Sequence, residues 1–431
     1  MKDKLLILFA LLACSAYGAG SQPVVAYTFV CNGNPSRGIG PCPDGASPGS
    51  LIQGSDGDFY GAATVSSYQN GGLPVNGGTL FSVTPAGKFT LLHTFVQGTS
   101  KNFANGEGPV SLIEGPDGNL YGTTASGGKG YENPNGFFGY GVLFRIGKTG
   151  SGFQVIHRFC SVTPSCNDGA DPAGGLVVGT DGNIYGATSK GGTGSGCPQP
   201  ACGTIFRVTP SSGAYHIVFN LSASTGSYPT GLTVAPDGTF YGLTLQGSAL
   251  FHYTPATGAL QSMALPFPFP SGCSGFACFA TSLPGRSLIF GANGSLYGLY
   301  TVYDSGGSGL FEVQPDGGNF QLFPEYDTTL AGGGPVGLLL ASDGNLWVTD
   351  SGNPFAAGSS GYGAIVTLSP SNGAAIQTLT FLGGSAGSYP ADLIQAKDGT
   401  LWGDAAGGVV TGSGHFAGGT VFSLNEGLPP L

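Results

Sequence analysis

Charge is scarce in this sequence. Only 8% of its 431 residues are charged, with Lys+Arg 13 against Asp+Glu 23 and a formal net charge of -10. Displacing counterions from phosphates takes clustered cations, and no Lys/Arg run exists, so nucleic acid is excluded as a partner and an anionic membrane surface is disfavoured. Long apolar runs are equally few. One runs from Leu5 to Ala13, after Met1-Lys2-Asp3-Lys4 and before the small residues Cys14, Ser15, Ala16, Gly18 and Ala19. It is too short to span a bilayer and has the layout of a secretory signal. Residues 1–18 are therefore read as a signal peptide and the protein as secreted or periplasmic. The alternative exit is Leu11-Leu12-Ala13-Cys14, which resembles a bacterial lipobox and would make an outer-membrane lipoprotein anchored at Cys14.

Glycine and proline are abundant, at 81 and 30, alongside 40% hydrophobic and 11% aromatic residues. That much apolar material can form a core, so the glycines read as turns rather than as low complexity. Besides Cys14, eight cysteines form four close couples: Cys31/Cys42, Cys160/Cys166, Cys197/Cys202 and Cys273/Cys278. Each couple lies in a Gly/Pro-rich segment without the nearby His or Cys partners that zinc requires, so all four read as local disulfides of an exported protein, and no metal is expected.

Three landmarks recur seven times. The first is a two-residue turn between apolar runs: Asp56-Gly57, Asp117-Gly118, Asp181-Gly182, Asp237-Gly238, Asn293-Gly294, Asp343-Gly344 and Asp398-Gly399. Such turns suit a β-hairpin. Each is preceded by proline and a short apolar strand, as in Pro109 with Leu112-Ile113, and followed by an aromatic position, as in Leu120-Tyr121-Gly122. The third landmark is a period-two strand such as Thr79 to Val83, Val142 to Ile146 or Ala364 to Leu368. A fourth strand follows in Leu91 to Phe95 and in Val155 to Phe159. Four antiparallel strands repeated radially make a propeller blade. The chain is therefore predicted to be all-β, a single seven-bladed β-propeller over residues 19–431, and a monomer. The last repeat lacks a fourth strand, and Val25-Ala26-Tyr27-Thr28-Phe29 matches that pattern, so the N-terminal strand is expected to complete the final blade.

These repeats, Leu-Tyr-Gly-Thr-Thr followed by Gly-Gly and Gly-Thr-Val-Phe, resemble the GloVer tandem repeats of exported bacterial choice-of-anchor proteins. The resemblance covers nearly the whole mature chain, and the family it points to has no defined function. Members often carry a C-terminal anchor; this sequence reads to Pro429-Pro430-Leu431, which leaves Cys14 as the candidate attachment point. A weaker resemblance, to streptogramin-lyase-like propellers, rests on Ser342-Asp343-Gly344-Asn345-Leu346-Trp347-Val348-Thr349-Asp350, which mostly encodes the blade hairpin. The catalytic His and Glu of that family match no residues here.

Candidate chemistry is thin. No nucleophile elbow, phosphate loop, zinc-protease motif or dinucleotide fingerprint has its required context, and no cofactor is expected. His93 and His157 share a repeat position and read as sheet packing; His216 and His252 fall on predicted strands, and His415 in a Gly-rich loop. Asp304, Asp350 and Asp404 follow the second strand in three consecutive repeats, where carboxylates could converge on a hard cation or simply support turns. The long connections between second and third strands carry Tyr131, Phe137, Phe138, Tyr140, Phe355, Tyr362 and Phe416 among glycines. Rings so placed either stack on a sugar or protein ligand or pack against neighbouring blades. The reading is an exported, non-catalytic binding or surface-scaffold propeller for a glycan or protein. The alternatives are an extracellular lyase or hydrolase at the central channel and a purely structural envelope protein.

Overall fold

The computed structural model describes residues 22–32, 40–69, 73–95, 105–128, 139–161, 165–197, 202–246, 249–266, 288–301, 308–323, 334–351, 362–380, 387–407, 410–411 and 415–431. They form seven antiparallel sheets, the blades of a propeller. Blade one comprises Gly40–Gln53, Phe59–Gln69, Leu73–Val83 and Phe89–Thr94. Blade four differs in that its first strand is broken into Ser227–Pro229 and Thr233–Val234. Blade seven comprises Ser388–Gln395, Leu401–Gly407 and His415–Leu424, and Val24–Asn32 completes it from the other end of the chain. Val25 pairs with Phe422, Tyr27 with Val421 and Thr28 with Thr420, so the ring closes as the sequence predicts.

The core lies between blades rather than within them. Seven main apolar clusters each join one blade to the next, and the cluster holding Phe29, Phe59, Phe81, Trp402 and Val421 joins the last blade to the first. A blade sheet is apolar on both faces, so each must be covered by a neighbour.

The repeated residues have identifiable tasks. Glycine after the second-strand aromatic lies under a third-strand phenylalanine: a Cβ on Gly122 would sit 2.4 Å from Phe144 Cζ. The first-strand proline docks on the preceding blade. At the closing junction Gly419, with φ of +127°, lies under the Pro48 ring, where a Cβ would come within 2.4 Å of Pro48 Cδ. The turn aspartate accepts a hydrogen bond from the tyrosine four residues on, at 2.7 Å for Tyr60–Asp56, 2.9 Å for Tyr121–Asp117 and 2.7 Å for Tyr185–Asp181.

Candidate functional site

The two faces of the ring differ because strand order fixes which connections reach each. Connections between first and second strands are the tight Asp-Gly turns, and together with the third-to-fourth turns they form one face. The second-to-third connections and the links between blades form the other, the long-connection face.

The disulfides of the described residues all lie on the long-connection face. Cys31–Cys42 joins the strand that closes blade seven to the first strand of blade one, Cys160–Cys166 bridges blades two and three, and Cys197–Cys202 lies within the second-to-third connection of blade three. Cys273 and Cys278 lie outside the described residues. Under two of these bridges the repeat builds the same contact. Tyr27 donates to Asp44 Oδ2 at 2.6 Å beside the first bridge, and His157 Nε2 lies 3.2 Å from Asp168 Oδ2 beside the second. The flanking sequences match as Cys42-Pro43-Asp44-Gly45-Ala46 and Cys166-Asn167-Asp168-Gly169-Ala170. Burial pulls the Asp168 carboxyl upward, but the His157 imidazole 3.2 Å away and the hydrogen bond from the Ser161 N–H outweigh it and hold the group below its ordinary value.

Tyr27, His93 and His157 pack in register around the ring. Each stacks on an aromatic ring of the next blade: Tyr27 on Phe89 at 4.0 Å, His93 on Phe153 at 3.8 Å and His157 on Tyr215 at 3.7 Å. Burial lowers the His93 pKa. His216 and His252 lie on the strands Ala214–Asn220 and Ala249–Thr254, as expected. His415 is not in a loop: it opens the strand His415–Leu424, where it pairs with Asn32.

The aromatic residues proposed for binding are only partly located. Tyr362 is 42% exposed. Tyr140 is half-buried and packs against both the Cys160–Cys166 cluster and the interface between blades two and three. Phe416 sits opposite Cys31 in the closing strand pair. Tyr131, Phe137, Phe138 and Phe355 lie outside the described residues.

Asp304 also lies outside them, and Asp350 and Asp404 are strand residues rather than loop ligands. They occupy successive, non-equivalent positions, Asp350 opposite Ala364 and Asp404 opposite Val421, and both are fully buried. Asp404 Oδ1 accepts the backbone N–H of Asp392 at 3.0 Å, and Oδ2 has no hydrogen-bond partner. Burial, with the Asp392 carboxylate beside it, pushes the Asp404 carboxyl well above its ordinary value. In blade two the corresponding pair is Ser111 and Thr123, whose hydroxyls meet at 2.8 Å. The Trp402-Gly403 motif marks the end of the second strand in the sequence, which puts Asp404 in a loop. The strand runs on to Gly407.

The central channel is walled by first strands. Ile52, Ile113, Val177, Thr233, Ile289, Leu339 and Ile394 hold one equivalent position, each opposite the second-strand Tyr or Trp. Toward the turn face the channel holds two adjoining cavities of about 420 and 530 Å³. Ile113, Leu339 and Leu340 line both. Among the described residues no group of three or more His, Cys, Asp or Glu comes together in a metal-binding arrangement.

Among solved structures the fold is similar to hydrazine synthase of Kuenenia stuttgartiensis, with a TM-score of 0.53 at 14% identity over 84% of this chain and 94% of that one. It is also similar to the periplasmic gluconolactonase of Pseudomonas aeruginosa, with a TM-score of 0.49 at 14% identity over 82% and 95% of the two chains. The PQQ-bound aldose sugar dehydrogenase of Streptomyces coelicolor gives a TM-score of 0.43 at 15% identity over 95% and 99%. Likeness at such identities concerns the fold and not the chemistry. No curated protein sequence matches the chain. The model of the Gloeobacter/Verrucomicrobia repeat matches residues 47–271, more than half of the sequence, and the chain belongs to that repeat family.

Proposed function

We propose that this chain is an exported, non-catalytic propeller that binds a glycan or a protein on its long-connection face. Residues 1–18 serve as its signal peptide, or Cys14 as its lipid anchor, and residues 19–431 act as one monomeric domain. The carrying observation is that Cys31–Cys42, Cys160–Cys166 and Cys197–Cys202 all staple connections on that one face. Stapled loops lose less entropy on binding, which favours recognition by surface contacts. Disulfides also fit an oxidising compartment outside the cytosol. The aliphatic first-strand positions of the channel wall fit a binder better than a lyase or hydrolase, whose acid, base and nucleophile would have to project from those strands.

The test is a screen of the purified mature protein against cell-wall and plant glycans and envelope proteins, with and without divalent cations. Replacing Phe137, Phe138 and Tyr140 by alanine, and separately Phe355, Tyr362 and Phe416, should weaken binding by about 1 to 2 kcal/mol per true anchor without a change in blade content by circular dichroism. Affinity untouched by both sets would move the site off this face.

A second reading, an extracellular lyase or hydrolase at the channel, would have to use the Asp392–Asp404 carboxyls, which meet inside blade seven and line neither channel cavity, since carboxyls with perturbed titration concentrate at functional sites. Turnover of any screened glycan that is abolished in Asp404→Asn, with binding retained, would favour it.

A further inference from the structure

The turn-side end of the central channel is lined mainly by aliphatic side chains of the first strands. We propose that the channel binds the alkyl chain of a long-chain carboxylate, with the carboxylate held at the rim by Lys397. The two cavities share Ile113, Leu339 and Leu340, so they form one continuous space to which all seven blades contribute. Among the described residues Thr233 is the one polar side chain lining the cavity of about 420 Å³. The remaining wall is aliphatic except for Phe290, so it offers little stacking area for a sugar or nucleobase. A total of this size is within the range of small-molecule sites, and an apolar guest gains there what solvent cannot.

Apart from Thr233 and the backbone groups of the first strands, polar side chains of the channel are confined to the rim formed by blades one, two and seven. Most of its polar groups are already engaged. Glu114 holds Lys148 at 2.7 Å and accepts from Ser55, and Gln395 donates to Pro429 O at 3.0 Å. Gln53 Oε1 accepts the backbone N–H of Lys397 at 2.9 Å. The Lys397 side chain is exposed beside the cavity of about 530 Å³, and among the described residues its ammonium pairs with no carboxylate. A cation left over at the mouth of an apolar channel complements an anionic head on an apolar chain. The alternative guest, a neutral alkane or alcohol, would use the wall without the rim.

The experiment titrates the full mature chain with straight-chain carboxylates from hexanoate to tetradecanoate below their micellar concentrations, and with dodecanol. Affinity should rise about fourfold per added methylene until the channel is filled. Lys397→Gln should weaken dodecanoate about threefold while leaving dodecanol unchanged. Leu340→Trp, which puts an indole into the wall common to both cavities, should abolish binding of either. Absence of binding, affinity independent of chain length, or full affinity in Leu340→Trp would overturn the proposal. Should Leu340→Trp fail to melt cooperatively, the Lys397→Gln comparison decides it, since equal loss for acid and alcohol removes the assigned role of the ammonium. Alanine at Phe137 and Phe138 leaves this binding intact, so failure here and failure of the long-connection face are separate results.

Discussion

Val348 stands directly opposite Val366 on the second and third strands of blade six, where the other six blades oppose glycine to phenylalanine. The two departures compensate. Where the phenylalanine is present its ring fills the space above the glycine, and a Cβ on Gly61, Gly122 or Gly186 would lie 2.4 Å from that ring's Cζ. Where the glycine becomes Val348 the ring is gone. The solution is a similar total volume divided differently between two strands, as close-packed interiors require.

Gly122→Val is therefore expected to destabilise the protein by about 2 kcal/mol or more through overpacking against Phe144. Val366→Phe alone should be similarly costly, and Val348→Gly alone should cost about 3 kcal/mol by leaving a cavity and a glycine in the strand. The double change Val348→Gly with Val366→Phe should recover most of both losses. Urea unfolding of the four variants gives the coupling, and additive losses would show that the pair is not compensated.

This pairing is half legible in the sequence. Asp-Gly turns, Tyr-Gly pairs and third-strand aromatics marked the blades because each is local, and the closing strand was recognisable by matching Tyr27-Thr28-Phe29 to His93-Thr94-Phe95. The reason for the glycine is not legible in the sequence, since the ring above it comes from the third strand, 9 to 22 residues further along. Asp404 misled for a related reason: polarity at a strand end reads as a loop, and only the tertiary fold shows that a neighbouring blade buries it. Much of the aromatic binding set, Tyr131, Phe137, Phe138 and Phe355, has only its sequence to speak for it.

Ring closure depends on Tyr27. It stacks on Phe89 of the next blade at 4.0 Å and donates to Asp44 at 2.6 Å. Tyr27→Phe should keep the stack and lose about 1 to 2 kcal/mol through the hydrogen bond to a carboxylate. Deleting residues 23–30 removes the strand itself and leaves His415–Leu424 with an open edge, so that variant should associate. Light scattering checks it; a monomer with unchanged melting would contradict the closure.

The disulfides should act locally. Cys160 and Cys166 are only 6 positions apart, so the chain-entropy contribution of the bridge is about 2 kcal/mol. Replacing both by serine should raise hydrogen exchange at residues 159–170 with little change in distant blades. Mass mapping of unreduced peptides should also show Cys273 joined to Cys278, and free thiols at both would remove that bridge.

Asp404 should give stability an unusual pH dependence. Its folded pKa is raised by burial and by Asp392, whereas unfolded it titrates near 3.8. The folded state therefore binds this proton more tightly than the unfolded chain. The contribution is fully present below the unfolded pKa and is lost as pH rises from there toward the raised folded value. Asp56, Asp117, Asp168 and Asp181, with lowered values, contribute in the opposite sense and lose stability as pH falls. Wild-type melting alone would mix the two trends, so the informative quantity is the difference from Asp404→Asn. Asparagine can still accept the Asp392 N–H but carries no ionisable proton. The variant should gain on the wild type steadily from pH 4 to pH 8 and fall closest to it in acid, and a difference that stays constant across that range would mean that Asp404 does not carry a raised pKa.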